Sequence, residues 1–270
     1  MSHIRAALRD FDRFDALAQR STALSRIDPR AKILATLCFI VAVVSFDRYT
    51  VSALLPFALF PVLMAGLGDI PLCMIARKVL FASPFAVMVG LFNPWLDQKP
   101  LLDLLGYPIA GGWVSFASIL VRFCLTVAAA LVLVASTGLP PICSGLMRLG
   151  VPQILTTQLL FLHRYALVIA EEASCMRLAH ELRSGANGAL PLAVYASLLG
   201  HLLLRSMARA QRIYQAMLCR GFDGEIRVSH GLAWRSVDSW FLLVCLTSFV
   251  LARQIHVVHW LGRLLVEHLS

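Results

Sequence analysis

Residues 113–137 read WVSFASILVRFCLTVAAALVLVAST, a run whose only charge is Arg122. A helix needs about 20 apolar residues to cross a bilayer, and this run is long enough. The whole chain shares its character. Of 270 residues, 59% are hydrophobic and 14% charged, with a mean hydropathy of +0.77. Soluble domains carry about 25% charged residues, so a chain this depleted cannot cover a water-facing surface. The bilayer is its natural solvent, and the expected fold is all-α: a polytopic helical membrane protein.

Four further apolar runs flank this one. The first, 31–46, is opened by Asp28-Pro29-Arg30, with proline at a helix start where its missing N–H does no harm. Asp47-Arg48 separates it from a second, 49–68. Arg77-Lys78 precede a third, 79–93, which stops at Asn93-Pro94. The stretch 94–112 is rich in proline, glycine and charge and reads as a loop. After 113–137 come Pro140-Pro141, and the last run covers 237–252. About five crossings are expected, within a range of four to six. The terminal IHVVHWLGRLLVEHL, 255–269, is either an external interfacial helix or a sixth crossing.

Charge orients the chain. The net charge of +9 does not form one dense patch interleaved with aromatics, which argues against nucleic acid as a partner. With a cytoplasmic N-terminus, Arg26, Arg30, Lys32, Arg77 and Lys78 fall inside, as the positive-inside rule requires. The block 138–236 also returns inside, with ten arginines and no lysine against five acids, a net of +5. The expected organisation is therefore an amphipathic cytoplasmic segment 1–30, a four-crossing region 31–137, a cytoplasmic helical insertion 138–236, and a crossing plus interfacial helix at 237–270. The expected location is the cell inner (plasma) membrane, in several passes.

The insertion holds two long helical patterns, 152–184 and 191–220, with a turn-rich break at Ser184–Gly188. On the second, Leu203, Met207, Ala210, Tyr214, Met217 and Leu218 recur at helical spacing as an apolar stripe. Arg205, Arg209, Arg212 and Arg220 form another stripe on the opposite side. Each helix ends as arginine plus a small residue: Leu182-Arg183-Ser184 and Cys219-Arg220-Gly221. A cation and a glycine near a helix C-terminus are ordinary capping chemistry. Two matching ends in one charged insertion point further, to docking. Arginine offers a fork of donors to a partner's carboxylates, and an apolar stripe suits a partner's groove.

These stretches resemble the transmembrane (T) component of energy-coupling factor (ECF) transporters, in its cobalt-type CbiQ branch. The resemblance covers nearly the whole chain and rests on Asp28-Pro29-Arg30-Ala31-Lys32, Leu91-Phe92-Asn93-Pro94, HRYALVIAEEA at 163–173, and above all LLLRSMARAQRIYQAMLCRGFDG at 202–224. It implies that Leu182, Arg183 and Ser184 at one end, and Cys219, Arg220 and Gly221 at the other, sit in grooves of two ATP-binding-cassette ATPase subunits. Leu182 and Cys219 replace the family's usual alanine. Arg205, Arg209, Arg212 and Met217 would support the second coupling helix. ATP and Mg would be bound by the ATPases, whose closure would drive a substrate-binding membrane subunit for cobalt or nickel, with a small accessory membrane subunit as a possible further partner. The chain itself carries no GxxxxGK[ST] phosphate loop, so it does not hydrolyse ATP on its own account.

Other features carry less. The seven cysteines mostly fall inside apolar runs without a CxxC pair and read as packing residues. Arg122 marks a functional partner, or else it snorkels or pairs with Asp103. His256 and His259 lack a third ligand and read as interfacial rather than metal-binding. Glu171-Glu172 fit helix solvation or pairing with Arg164. No catalytic constellation is expected, nor a cofactor or metal site in this chain. Two alternatives remain beside the metal importer: the same component serving a vitamin, and a self-contained carrier without an ATPase.

Overall fold

A computed structural model describes residues 17–18, 20, 22, 24–47, 51–93, 100–104, 107–184, 191–224 and 234–254, with backbone only at 100–111. Most of the N-terminal segment, the break at 185–190, and the histidines of the terminal run lie outside these residues.

Asp28 opens helix α1, Pro29–Val44, by accepting the Arg30 N–H at 2.9 Å, with Pro29 at the first helical position. A 3-10 segment, Ser52–Ala58, runs directly into α2, Leu59–Leu67. Pro56 and Pro61 each withhold a backbone donor here, so a full α-helical ladder becomes regular only late. The looser rise compensates in length: the two together reach about 27 Å, and α1 about 24 Å. Helix α3 spans Leu72–Gly90, α4 Gly111–Thr137 and α8 Ser236–Gln254, and these three are long and apolar enough to cross a membrane.

The expected third run began only at residue 79, whereas α3 starts at Leu72 and contains Arg77 and Lys78. Long cationic side chains continue a helix readily while their charged heads remain in polar surroundings. The stretch read as a loop holds an antiparallel hairpin of β1, Pro100–Leu104, and β2, Tyr107–Ala110, with Asp103 opposite Pro108. Two residues separate the strands, a spacing that can close a hairpin even with proline within the strands.

Between α4 and α8 lie α5, Leu139–Arg148, α6, Gln153–Ser184, and α7, Leu192–Leu218. Helix α5 was not anticipated, because Pro140-Pro141 read as a break. They occupy its first turn, where no N–H is needed. The chain forms two compact units, one built on α5–α7 and the other on α1–α4 with α8.

In the membrane unit, α4 packs against α1, α2 and α3, and α8 packs against α1. Lipid is as apolar as leucine, so close packing rather than water exclusion must hold such helices together. An aromatic knot does this: Phe39 of α1 meets Phe60 at 4.7 Å and Phe249 at 5.6 Å between ring centroids, and Phe57 at 6.1 Å. Gly90 lets α3 approach α4, since a Cβ there would fall 2.7 Å from the Phe116 ring.

Polar contacts fix the helix directions. Asp238 in the first turn of α8 accepts the N–H of Asp28, so α1 and α8 begin at one face. At the other face Arg253 of α8 donates to Ser45 Oγ at 3.1 Å, and Arg122 donates to the carbonyl oxygen of Asp47 just beyond α1. Arg122 thus has a backbone acceptor as its partner; the side chain of Asp103 is outside the description. Asn93 donates to Ser115 Oγ, which sets α3 antiparallel to α4. Lys32 donates to Thr137 Oγ1 at 3.4 Å, which places the end of α4 beside the start of α1. The five apolar elements alternate in direction, and the fold is that of an all-α polytopic membrane protein.

Candidate functional site

Helices α6 and α7 form an antiparallel pair. Ala173, Met176 and Arg177 lie against Tyr195, Leu198, Leu199 and Leu202, whereas Phe161 and Tyr165 lie against Tyr214, Met217 and Phe222. The two arginine ends therefore sit at opposite ends of the pair. Along the 27 residues of α7 this corresponds to about 40 Å.

The end of α7 is set by its sequence. Gly221 takes φ +78°, a left-handed conformation that L side chains resist. The N–H of Gly221 reaches the Leu218 carbonyl and that of Phe222 reaches the Met217 carbonyl, both at 3.0 Å. This is the paired 6→1 and 5→2 pattern of a Schellman end, and Met217 and Phe222 line one groove as its hydrophobic contact. The motif leaves Cys219 and Arg220 exposed just before the turn. At the end of α6, Leu182 is 77% exposed, and Arg183 and Ser184 are exposed beside it. Among the described residues neither Arg183 nor Arg220 forms an ion pair.

The stripes on α7 are arranged differently from the expectation. Val194, Leu198, Leu202, Ser206, Arg209, Ile213 and Met217 are the partly buried positions, at steps of three and four. Leu203, Met207, Tyr214 and Leu218 of the apolar stripe stay half exposed, so most of that stripe remains free. The arginine stripe is divided instead of lying opposite. Arg209 forms an ion pair with Glu172 of α6, and Arg205 joins it at 3.6 Å. Arg212 stays exposed. Glu172 thus pairs with α7 rather than with Arg164, which lies over the Tyr165 ring at 5.8 Å. No sequence spacing joins Glu172 to Arg209, 37 residues away.

Between the helices lies a cavity of about 390 Å³ lined by Phe161, Tyr165, Ile169, Ile213, Tyr214 and Met217, among others. Sequence reasoning missed Phe222, although an apolar residue five positions after Met217 and directly after a glycine is the signature of this cap. Among the described residues no group of three or more metal-ligating side chains converges.

Comparison with known proteins gives the setting. Residues 20–230 match the CbiQ family, described as cobalt transport protein. An uncharacterized protein of Methanocaldococcus jannaschii is 23% identical over 254 residues, covering 90% of this chain and 86% of that protein. The cobalt transport protein CbiQ of Rhodobacter capsulatus is 34% identical over 97 residues, covering 36% of this chain and 40% of that protein. With three membrane-length helices, an all-α architecture, and a family match over most of its length, the chain belongs to the CbiQ family of cobalt transport proteins.

Proposed function

We propose that the chain is the energy-coupling transmembrane subunit of an ATP-driven importer of cobalt or nickel. In this reading it resides in the cell inner membrane, with its N-terminus and the α5–α7 unit on the cytoplasmic side. Each end of the α6–α7 pair docks in a groove of one ATP-binding-cassette ATPase, and ATP and Mg are held by those ATPases. Their closure moves α6 and α7, and the membrane helices reorient a separate substrate-binding subunit that carries the ion.

The observation that carries the reading is the placement of Arg183 and Arg220. Both are exposed at helix ends, and they stand far enough apart to engage two different subunits. An arginine at a helix C-terminus also neutralises the partial negative charge of that end, so it can be presented there without loss of stability. The half-exposed stripe Leu203, Met207, Tyr214 and Leu218 supplies apolar surface beside it.

Purification of the wild-type chain from its own membranes in mild detergent is expected to bring an ATPase and a small metal-binding membrane protein. A vitamin-binding subunit in place of the latter would change the cargo and keep the mechanism. The chain alone, transporting without ATP, would overturn the proposal. Arg183→Glu with Arg220→Glu is expected to weaken ATPase binding by about 100-fold or more, given the 2–5 kcal/mol typical of a truncated buried charge pair, while membrane insertion is unchanged.

A further inference from the structure

Among the described residues, the chain leaves the membrane unit after α4 and returns to it before α8. The outgoing stem is short. Gly138, at φ +79°, is the single residue between α4 and α5. A lone left-handed glycine is a natural place for displacement to be absorbed rather than transmitted. Both stems, however, end in one buried polar cluster.

On the outgoing stem, Thr137 is buried and accepts from Lys32 Nζ at 3.4 Å, with Ser136 Oγ 3.4 Å from its hydroxyl. On the returning stem, Asp238 is 1% exposed. Its Oδ2 accepts the Arg235 N–H and its Oδ1 accepts the Asp28 N–H, both at 2.8 Å. Asp28 in turn caps α1 and has Arg30 Nε at 3.8 Å. Lys32 is 2% exposed one turn further along α1, within the fields of Asp238 and Asp28. Two cations and two carboxylates thus balance at a junction of three helix ends, of α1, α4 and α8.

Stability alone does not account for such a cluster. Burying a lysine and two carboxylates is costly, and buried polar groups of this kind can specify geometry. Breaking one member, by contrast, leaves an uncompensated charge. Asp28 Oδ2 and Arg30 Nε are buried without a hydrogen-bond partner, which gives the cluster alternative pairings to move between.

We propose that Lys32, Asp28 and Asp238, with Thr137, form a clamp that ties the end of α4 and the start of α8, where the two stems enter the membrane unit, to the start of α1. A displacement that reaches either stem is then passed to α1, α4 and α8 together. Lys32 and Asp238 are positioning residues in this scheme and touch neither ATP nor the transported ion.

The inference rests on the coupling reading above, and the two fail differently. Failure of that reading shows in the wild-type complex, as ion uptake indifferent to ATP, and removes both. Failure of the clamp shows only in variants, against a wild-type complex that couples.

The experiment reconstitutes the complete complex in liposomes and measures ATP hydrolysis and ion uptake on the same vesicles. Lys32→Met is expected to keep hydrolysis within about twofold while uptake per ATP falls about tenfold, the size of a typical coupling free energy between linked sites. Lys32→Arg is expected to restore most of the ratio, which a purely structural role would not require. An assembled Lys32→Met complex with wild-type uptake per ATP overturns the clamp. Should Lys32→Met not assemble, Asp238→Asn is read by the same criterion. Should neither assemble, hydrogen exchange on the wild-type complex decides. Amides of 133–137 and 236–241 changing together on addition of a non-hydrolysable ATP analogue support the clamp; a change at one stem alone overturns it.

Discussion

Gly221 does at the scale of one residue what the coupling proposal needs. Its positive φ ends α7 and turns the chain so that Arg220 is left at the edge of the helix. An L side chain in that conformation costs about 1–2 kcal/mol. Gly221→Ala is therefore expected to leave insertion intact and to weaken ATPase binding about five- to thirtyfold, by misplacing Arg220 at that energetic cost. Titration of detergent-solubilised protein with the purified ATPase measures it, and unchanged affinity would show that the cap does not position the arginine. The glycine was legible in the sequence because capping is local. The pairing of Glu172 with Arg205 and Arg209 was not, because only the packing of α6 on α7 brings those residues together. Arg122 shows the same contrast. Its position inside an apolar run marked it as costly, while its acceptor, the Asp47 carbonyl oxygen, lies 75 residues away.

At the scale of elements, α3 contains Pro84 without an orphaned carbonyl. Proline cannot donate to the Leu80 carbonyl one turn earlier, and Ser83 Oγ donates to it instead at 2.8 Å. Ser83→Ala should then cost about 1 kcal/mol, whereas in the Pro84→Ala background, where the backbone N–H returns, the same change should cost close to nothing. Thermal unfolding of the four proteins of this cycle in one detergent measures the difference, and equal costs in both backgrounds would contradict the assignment. Element existence was largely readable, since unbroken apolar runs have one meaning in a bilayer. Boundaries and irregularities were harder. Prolines 140 and 141 signal a break and a helix start equally well, and the 3-10 segment Ser52–Ala58 has the same hydropathy as an α-helix. Hydropathy reports the solvent of a segment and says little of its hydrogen-bond pattern.

At the scale of the molecule, the starts of α1 and α8 and the end of α4 share one face, from which the chain continues into α5. The segment around Ser45 and Asp47 lies at the opposite face, with the end of α8. In a cysteine-free background, Arg26→Cys and Ser236→Cys are expected to react with an impermeant maleimide from one side of sealed vesicles, and Asp47→Cys only from the other. Reaction of all three from the same side would contradict the alternation. The division into two compact units also has a physical basis. Helices α1–α4 and α8 are mostly apolar with few charges, whereas α6 and α7 carry many charges and are joined by the Glu172–Arg209 ion pair as well as by apolar contact.

Composition and periodicity by themselves determined the solvent, the all-α class, the approximate set of crossing helices, and the arginine-bearing ends of α6 and α7. These properties are sums over neighbouring residues, so they survive without knowledge of the fold. The tertiary structure alone decided which face of α7 packs and which stays free, how the arginines are shared between Glu172 and the surface, and that Asp28, Lys32, Thr137 and Asp238 meet. Asp28 and Asp238 are 210 residues apart and joined by one hydrogen bond. Burial of polar groups must be satisfied wherever the packing places them, and no local pattern encodes which distant partner will do so.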